Sequence, residues 1–245
     1  MMTCKKALTQ ADGDIENAFK AIQEAGPATT KTPRSSGVVS LLIDGTYGCV
    51  VEINCQTDLV AKDQNFAQFA DKVAKAALDG CVSDIDKLKH TFEGERASLA
   101  AKVGEVIEIR QIARLEGRQV AGYANDTRAA ALVSTRGASS ELSKQIAMHV
   151  AAMKPAFLKP GDVSEEIAAV EFERQCQREA ASGKPRDEVE MIVKGQMKNF
   201  FGEISLTEQP FVVDQTCTVG QVLKSEGAEI SSFVRVELGG SCLVR

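Results

Sequence analysis

The chain contains no tryptophan, only two tyrosines and only two histidines. So few flat side chains argue against a surface on which nucleobases stack. No apolar run approaches the roughly 20 residues that a membrane helix needs. The start, MMTCKKALTQ, has no long apolar core of the kind a secretory signal carries. No membrane is therefore expected, and the expected compartment is the cytoplasm. The seven cysteines are odd in number and include no C-x-x-C pair. Neither a disulfide framework nor a zinc site is indicated, and free thiols are expected. The phosphate-binding, dinucleotide, nucleophile-elbow, metalloprotease and calcium-loop patterns are all missing. No cofactor and no metal are expected.

Charge excludes one further class. Twenty-nine Lys and Arg face 34 Asp and Glu, a net −5. A mild acidic excess argues against broad binding to nucleic acid. Pairs such as Lys5 with Lys6, or Arg110 with Arg114, read as solvated surface. At 44% hydrophobic and 26% charged residues, the composition is that of an ordinary soluble globular protein.

What is present reads as separate modules. Residues 2–11 look helical. In IENAFKAIQEAG, Ile15, Ala18, Phe19 and Ile22 share one helix face until Gly26 and Pro27 stop it. Two helices from about 26 residues bury little, so this small module needs a third helix or a partner. PATTKTPRSS then has the composition of a linker.

GVVSLLI and CVVEINC flank the turn DGTYG and read as a hairpin. NCQTDLVAKD follows, leading into a helix that lines up Phe66, Phe69, Ala70, Val73 and Ala77. A second helix, roughly 84–103, carries Ile85, Leu88, Phe92, Leu99 and Val103. Three β-rich runs come next: VIEIRQIARL, RQVAGYA and AAALVST. The following helix places Leu142, Ile146, His149, Val150 and Met153 at helical spacing and ends at Lys154-Pro155. Strand–turn–strand–helix thus occurs twice, near 38–78 and near 118–153, a duplication of architecture.

Residues 163–200 differ. They read as two charged helices, capped at Ser164 and begun at Pro185, joined by SGKP. Their narrow apolar stripes fall at 167, 170, 189, 192, 193, 197 and 200. That pattern suits a projecting antiparallel hairpin. The tail reads strand, short helix, strand, with Thr218 as cap and Gly227 as stop. The fold class is α+β.

The catalytic candidates are few. His90 sits among charged neighbours and reads as surface. His149 reads as a hydrogen-bonded structural residue on an apolar face. Cys55 precedes a helix, so a thiol-dependent enzyme using Cys55, with His149 brought near by folding, is one alternative. The plainer reading of Cys55 is a small buried residue at a strand end.

Several stretches resemble bacterial elongation factor Ts. They are MMTCKKALTQADGDIENA, NCQTDLVAKDQNFAQFADKVA, KQIAMHVAAMKPAFL, and GEISLTEQPFV with TVGQVLK, and they occur in family order over almost the whole chain. The resemblance implies a guanine-nucleotide exchange factor, not an enzyme, that binds elongation factor Tu carrying GDP, or without nucleotide, and releases the nucleotide. It implies a small UBA-like helical module at 1–26, a linker at 27–36 and a core N-subdomain at 37–115. A core C-subdomain is implied at 116–162 and 201–245, and a coiled-coil hairpin at 163–200. It leaves a homodimer open.

The family's loop usually reads Thr-Asp-Phe-Val and disturbs the partner's Mg²⁺ site. The matching residues are Thr57, Asp58, Leu59 and Val60, so a leucine stands where the aromatic wedge is usual. Asp58 is expected as a polar anchor against the alternative of a helix cap, and Lys62 as a rim contact. Further partner contacts are expected at Asn125, His149 and Met148. Asn125, in YANDTR, stands nearest to the family's usual histidine. A binding scaffold with weak exchange is a third reading. The family usually has a helix before the MMTCKKAL stretch, so the first module is expected to be truncated, and many relatives extend past the last strand.

Overall fold

A computed structural model describes residues 9, 36–80, 82, 84–180 and 186–245. The expected helices in 1–26, the linker and the SGKP turn fall outside these residues, apart from Thr9 and Ser36. Ser36, expected as the last linker residue, is the first residue of a strand because its backbone pairs with Cys55.

Two antiparallel sheets form the centre. In the first, β1 (Ser36–Asp44), β2 (Tyr47–Cys55) and β3 (Glu108–Glu116) lie in the order β1-β2-β3. In the second, β4 (Gln119–Asn125), β5 (Ala129–Arg136), β6 (Glu229–Glu237) and β7 (Leu243–Val244) lie in sequence order. Asp44 pairs with Tyr47 across a two-residue turn that begins at Gly45, φ +58°. A left-handed first position is what glycine supplies in such hairpins.

The sheets pack face to face. Val39, Val50, Ala113, Leu115, Val120, Ala130, Leu132, Val234 and Val236 fill the space between them. The approach is close at two glycines. A Cβ on Gly48 would lie 2.7 Å from Leu132 Cδ2, and one on Gly122 would lie 2.9 Å from Leu41 Cδ1. Period-two alternation turns the other residues of each central strand outward. Cys49, Val51, Ile53 and Cys55 point into a second core, and Ala131 and Val133 into a third. Both faces of β2 and β5 are therefore buried, which is why they read as continuous apolar runs.

Helices cover the outer faces. The short α1 (Asp58–Ala61) leads to α2 (Gln64–Asp79), which is capped by Asp63 accepting from the Asn65 and Phe66 N–H groups. α3 (Ile85–Val103) ends at Gly104, φ +73°. Phe66 is fully buried, and Phe69 meets Phe92 edge to face at 6.1 Å. Each such ring contributes roughly 1.5–3 kcal/mol by leaving water. On the second sheet lies α4 (Ser140–Met153), capped by Ser139 and stopped at Lys154, φ +53°, before Pro155. α7 (Val219–Ser225) has Thr218 and Gln221 as a capping box, with Gly227 at φ +63° beyond it. This numbering leaves α5 (Glu165–Ala180) and α6 (Arg186–Ile204) for the helical pair.

The repeated strand–turn–strand–helix pattern extends to detail. Laying Tyr47 over Ala129 carries the Glu52/Ile53 register shift onto the shift at Ser134/Thr135. In each sheet the extra residue lies on the neighbouring strand, Arg110 of β3 and Ser231 of β6, so both sheets are bulged at the same step.

Two expectations need correction. Arg110 is not a solvated charge. Its Nη1 lies 2.6 Å from an oxygen of Glu52, which is fully buried. Gln111 Nε2 also donates to Glu52, and the Gly239 N–H donates at 2.8 Å. A buried carboxylate persists here because its oxygens are filled with donors. The second correction concerns α5. Its apolar residues Ile167 and Val170 are 42% and 70% exposed, while Glu171 and Gln175 are buried. Arg174 and Gln175 donate to Glu171, and Gln196 of α6 donates to Glu179 at 2.9 Å. Satisfied polar groups hold this side of α5 inward. On α6 the expected stripe does turn inward at Val193 and Met197. The base of the pair is tied down where the Ala156 and Phe157 N–H groups donate to Ile204 O.

Candidate functional site

Strand β2 ends at Cys55, and three residues later the chain is helical. Gln56 and Thr57 make the corner. Thr57 has extended backbone, φ −127° and ψ 153°, and its hydroxyl accepts from the Val60 N–H. The cap is therefore Thr57, and Asp58 occupies the first helical position rather than the cap. The helix is a single turn, which has little stability of its own. Side chains from elsewhere hold it.

Glu105, just after the stop of α3, provides one support. Its Oε2 accepts from the Gln56 N–H at 2.9 Å and the Thr57 N–H at 3.0 Å. Its Oε1 accepts from the Thr57 hydroxyl at 2.6 Å. On the other side, Ser36 at the start of β1 donates to Asp58 Oδ1 at 2.8 Å. From below, Val60 inserts into the core between the first sheet and its helices. Between these supports Leu59 stands 82% exposed. It is the most exposed large apolar side chain among the described residues.

The floor of the loop is the Cys55 thiol, fully buried and donating to Thr57 O at 3.2 Å. Burial pushes this thiol up to about 11, and the Glu105 carboxylate adds to the effect. A nucleophilic cysteine needs the opposite shift. His149 is not beside it. That ring lies in the core behind the second sheet, where Nδ1 accepts from the Val212 N–H at 3.1 Å and Nε2 meets Gln209 Oε1 at 2.9 Å. With Nδ1 accepting, the proton of the neutral ring is on Nε2. Burial lowers the ring below its ordinary 6.5. The structural reading of His149 fits this position. The thiol-enzyme alternative loses both its thiolate and its base.

The other expected contacts divide. Asn125 is exposed at the end of β4. The turn after it, with Asp126, Thr127 and Arg128, shares a groove of about 740 Å³ with Asp58 and Lys62. The Val39 N–H donates to Thr127 O at 2.8 Å, which fixes the turn against β1. The turn that follows Asn125 and the helix that carries Leu59 therefore line one groove. Met148 is half-buried on α4, and His149 offers no atom to the surface. Glu105 and Ser36 were not legible as site residues. They lie 48 and 22 residues from the residues they hold, and no local pattern marks them.

The arrangement is that of a two-sheet α+β protein that presents one apolar side chain on a braced loop. Residues 56–240 match the family model described as Elongation factor TS. The chain is 49% identical over 243 residues to the elongation factor Ts of Erwinia tasmaniensis, covering 98% of this chain and 86% of that protein. Those of Escherichia coli and Shigella boydii match with the same identity and coverage. The chain belongs to the elongation factor Ts family.

Proposed function

We propose that this protein binds elongation factor Tu in the cytoplasm and promotes release of its GDP. The observation that carries the reading is Leu59, 82% exposed at the tip of a one-turn helix whose next residue is buried at 7%. An apolar side chain held out in water gains by entering a pocket on a partner. In this reading Leu59 is the wedge. Thr57 shapes the loop, Asp58 is the polar anchor, Val60 roots the loop in the core, and Lys62 and Asn125 lie at the rim.

The wedge disturbs the partner's Mg²⁺ and phosphate site. Mg²⁺ neutralises phosphate charge, so losing it weakens GDP binding. The factor has only to bind the distorted partner better than the intact one. Linkage makes the effect reciprocal: the factor lowers nucleotide affinity by the ratio by which nucleotide lowers factor affinity. Fresh GTP then ends the cycle. No covalent bond is made or broken on this chain.

The test loads elongation factor Tu with a fluorescent GDP and adds this protein in catalytic amount. Accelerated release supports the proposal, and an unchanged rate overturns it. Tight binding without acceleration would leave a binding scaffold.

A further inference from the structure

We infer that Glu105 is the positioning residue of the wedge, a role that rests on the exchange reading above. Its carboxylate takes both backbone N–H groups of the corner, Gln56 and Thr57, and the Thr57 hydroxyl as well. Each member of this set has a geometric consequence. The two N–H bonds fix the corner where β2 turns out of the sheet. The hydroxyl bond fixes the Thr57 rotamer, and in that rotamer Thr57 Oγ1 also receives the Val60 N–H at 3.4 Å. Val60 is thereby set into the core, and one residue back Leu59 is turned outward. Glu105 itself is placed by Gly104, whose left-handed backbone ends α3 and directs the chain toward the loop.

These bonds lie at the surface. Water can replace them, so their net contribution to global stability is small. Their effect is on direction. Without the carboxylate, the corner samples other orientations and the leucine loses its aim. A wedge held in one orientation avoids an ordering cost on engagement. Glu105 needs no contact with the partner to act this way.

Two readouts on the full chain test the inference: hydrogen exchange at the Gln56 and Thr57 amides, and GDP release from elongation factor Tu as a function of factor concentration. In Glu105→Ala, both amides exchange faster, the folded fraction is unchanged, and the maximal release rate falls roughly five- to tenfold. The concentration for half-maximal effect changes little. Glu105→Gln keeps a carbonyl oxygen for the N–H pair and restores most of the rate. Adding Thr57→Ala to Glu105→Ala costs less than Thr57→Ala costs alone, because the two residues share one hydrogen bond.

Maximal rates in Glu105→Ala and Glu105→Gln equal to that of the unmodified protein would overturn the inference while leaving the exchange reading intact. A rise in the half-maximal concentration with an unchanged maximal rate would also overturn it, by making Glu105 a docking side chain. If the unmodified protein releases no GDP, the exchange reading fails, and protection of the two amides in the unmodified protein but not in Glu105→Ala would leave only a structural clamp.

Discussion

Leu59 and Val60 are adjacent, yet one is 82% exposed and the other 7%. The contrast follows from the one-turn helix capped by Thr57. Neighbouring helical residues point about a quarter-turn apart, so setting Val60 against the sheet sends Leu59 outward. Leu59→Ser should therefore leave folding intact. It should slow GDP release from elongation factor Tu. A leucine fully buried at a partner is worth roughly 1.5–3 kcal/mol. If all of that appears in the transition state, the loss is about ten- to a hundredfold in rate. Leu59→Phe should raise the rate several-fold, since a larger wedge adds on the order of 1 kcal/mol. A slower Phe variant would mean that the pocket fits leucine. Stopped-flow release of a fluorescent GDP measures all three proteins.

Asp58 holds Ser36 at 2.8 Å and is otherwise exposed. Asp58→Ala removes one part-buried hydrogen bond, which costs about 0.5–1.5 kcal/mol of stability. The melting temperature should shift only slightly. Exchange activity should fall further than that shift explains, because Asp58 is also the proposed polar anchor. Ser36→Ala removes the same internal bond and leaves the carboxylate in place. Equal rates for the two variants would reduce Asp58 to the Ser36 bond alone.

Much of this arrangement was readable from the sequence. The strands of the first sheet, the Asp-Gly turn, the α2 stripe from Phe66 to Ala77, and the caps at Ser164 and Thr218 all follow from local period and local chemistry. So did the place of the loop, since an apolar strand runs there into an amphipathic helix. What escaped rests on polar partners, distant in sequence for Arg110 and Glu105 and local for Glu171. Arg110 read as solvated because charged side chains usually are, and only folding brings it to Glu52. The α5 seam departs from its apolar stripe because Arg174 and Gln175 on the same helix satisfy Glu171, which a hydrophobicity pattern does not register. Glu105 carries no local signature at all, since the N–H groups it receives belong to backbone 49 and 48 residues away.

The Glu52 cluster gives a stability prediction. Glu52 joins β2 to β3 through Arg110 and Gln111, and to the turn after β6 through the Gly239 N–H. Arg110 Nη1 also donates to Gly240 O at 2.6 Å. Glu52→Ala takes the acceptor from Gln111 and the Gly239 N–H at a part-buried place, and the ion pair from Arg110. Arg110 is one third exposed and keeps Gly240 O, so the cost is that of part-buried donors left without an acceptor, about 1–3 kcal/mol. Urea unfolding should show a loss of that size. Replacing Glu52 and Arg110 together with apolar residues of similar volume should cost less than Glu52→Ala alone, because no buried charge then lacks a partner. A double variant less stable than Glu52→Ala would show that the bonds to Gly239 and Gly240 matter more than the ion pair.

His149 gives the pH prediction. Burial holds the ring below its ordinary 6.5, against a smaller opposite effect of the Gln209 bond. The folded state therefore favours the neutral ring, with Nδ1 free to accept from the Val212 N–H. Below 6.5 the unfolded chain takes up a proton that the folded chain resists. Stability is thus fully present above the unfolded value and declines as pH falls below it. Urea unfolding between about pH 7.5 and pH 5.5 isolates this group from most carboxylates. His149→Leu should be less stable at the upper end by about 1–3 kcal/mol, since the Val212 N–H and Gln209 lose their partner. It should also lose less stability on acidification, because the titrating ring is gone. A variant that declines as steeply as the unmodified protein would assign the pH dependence to another group.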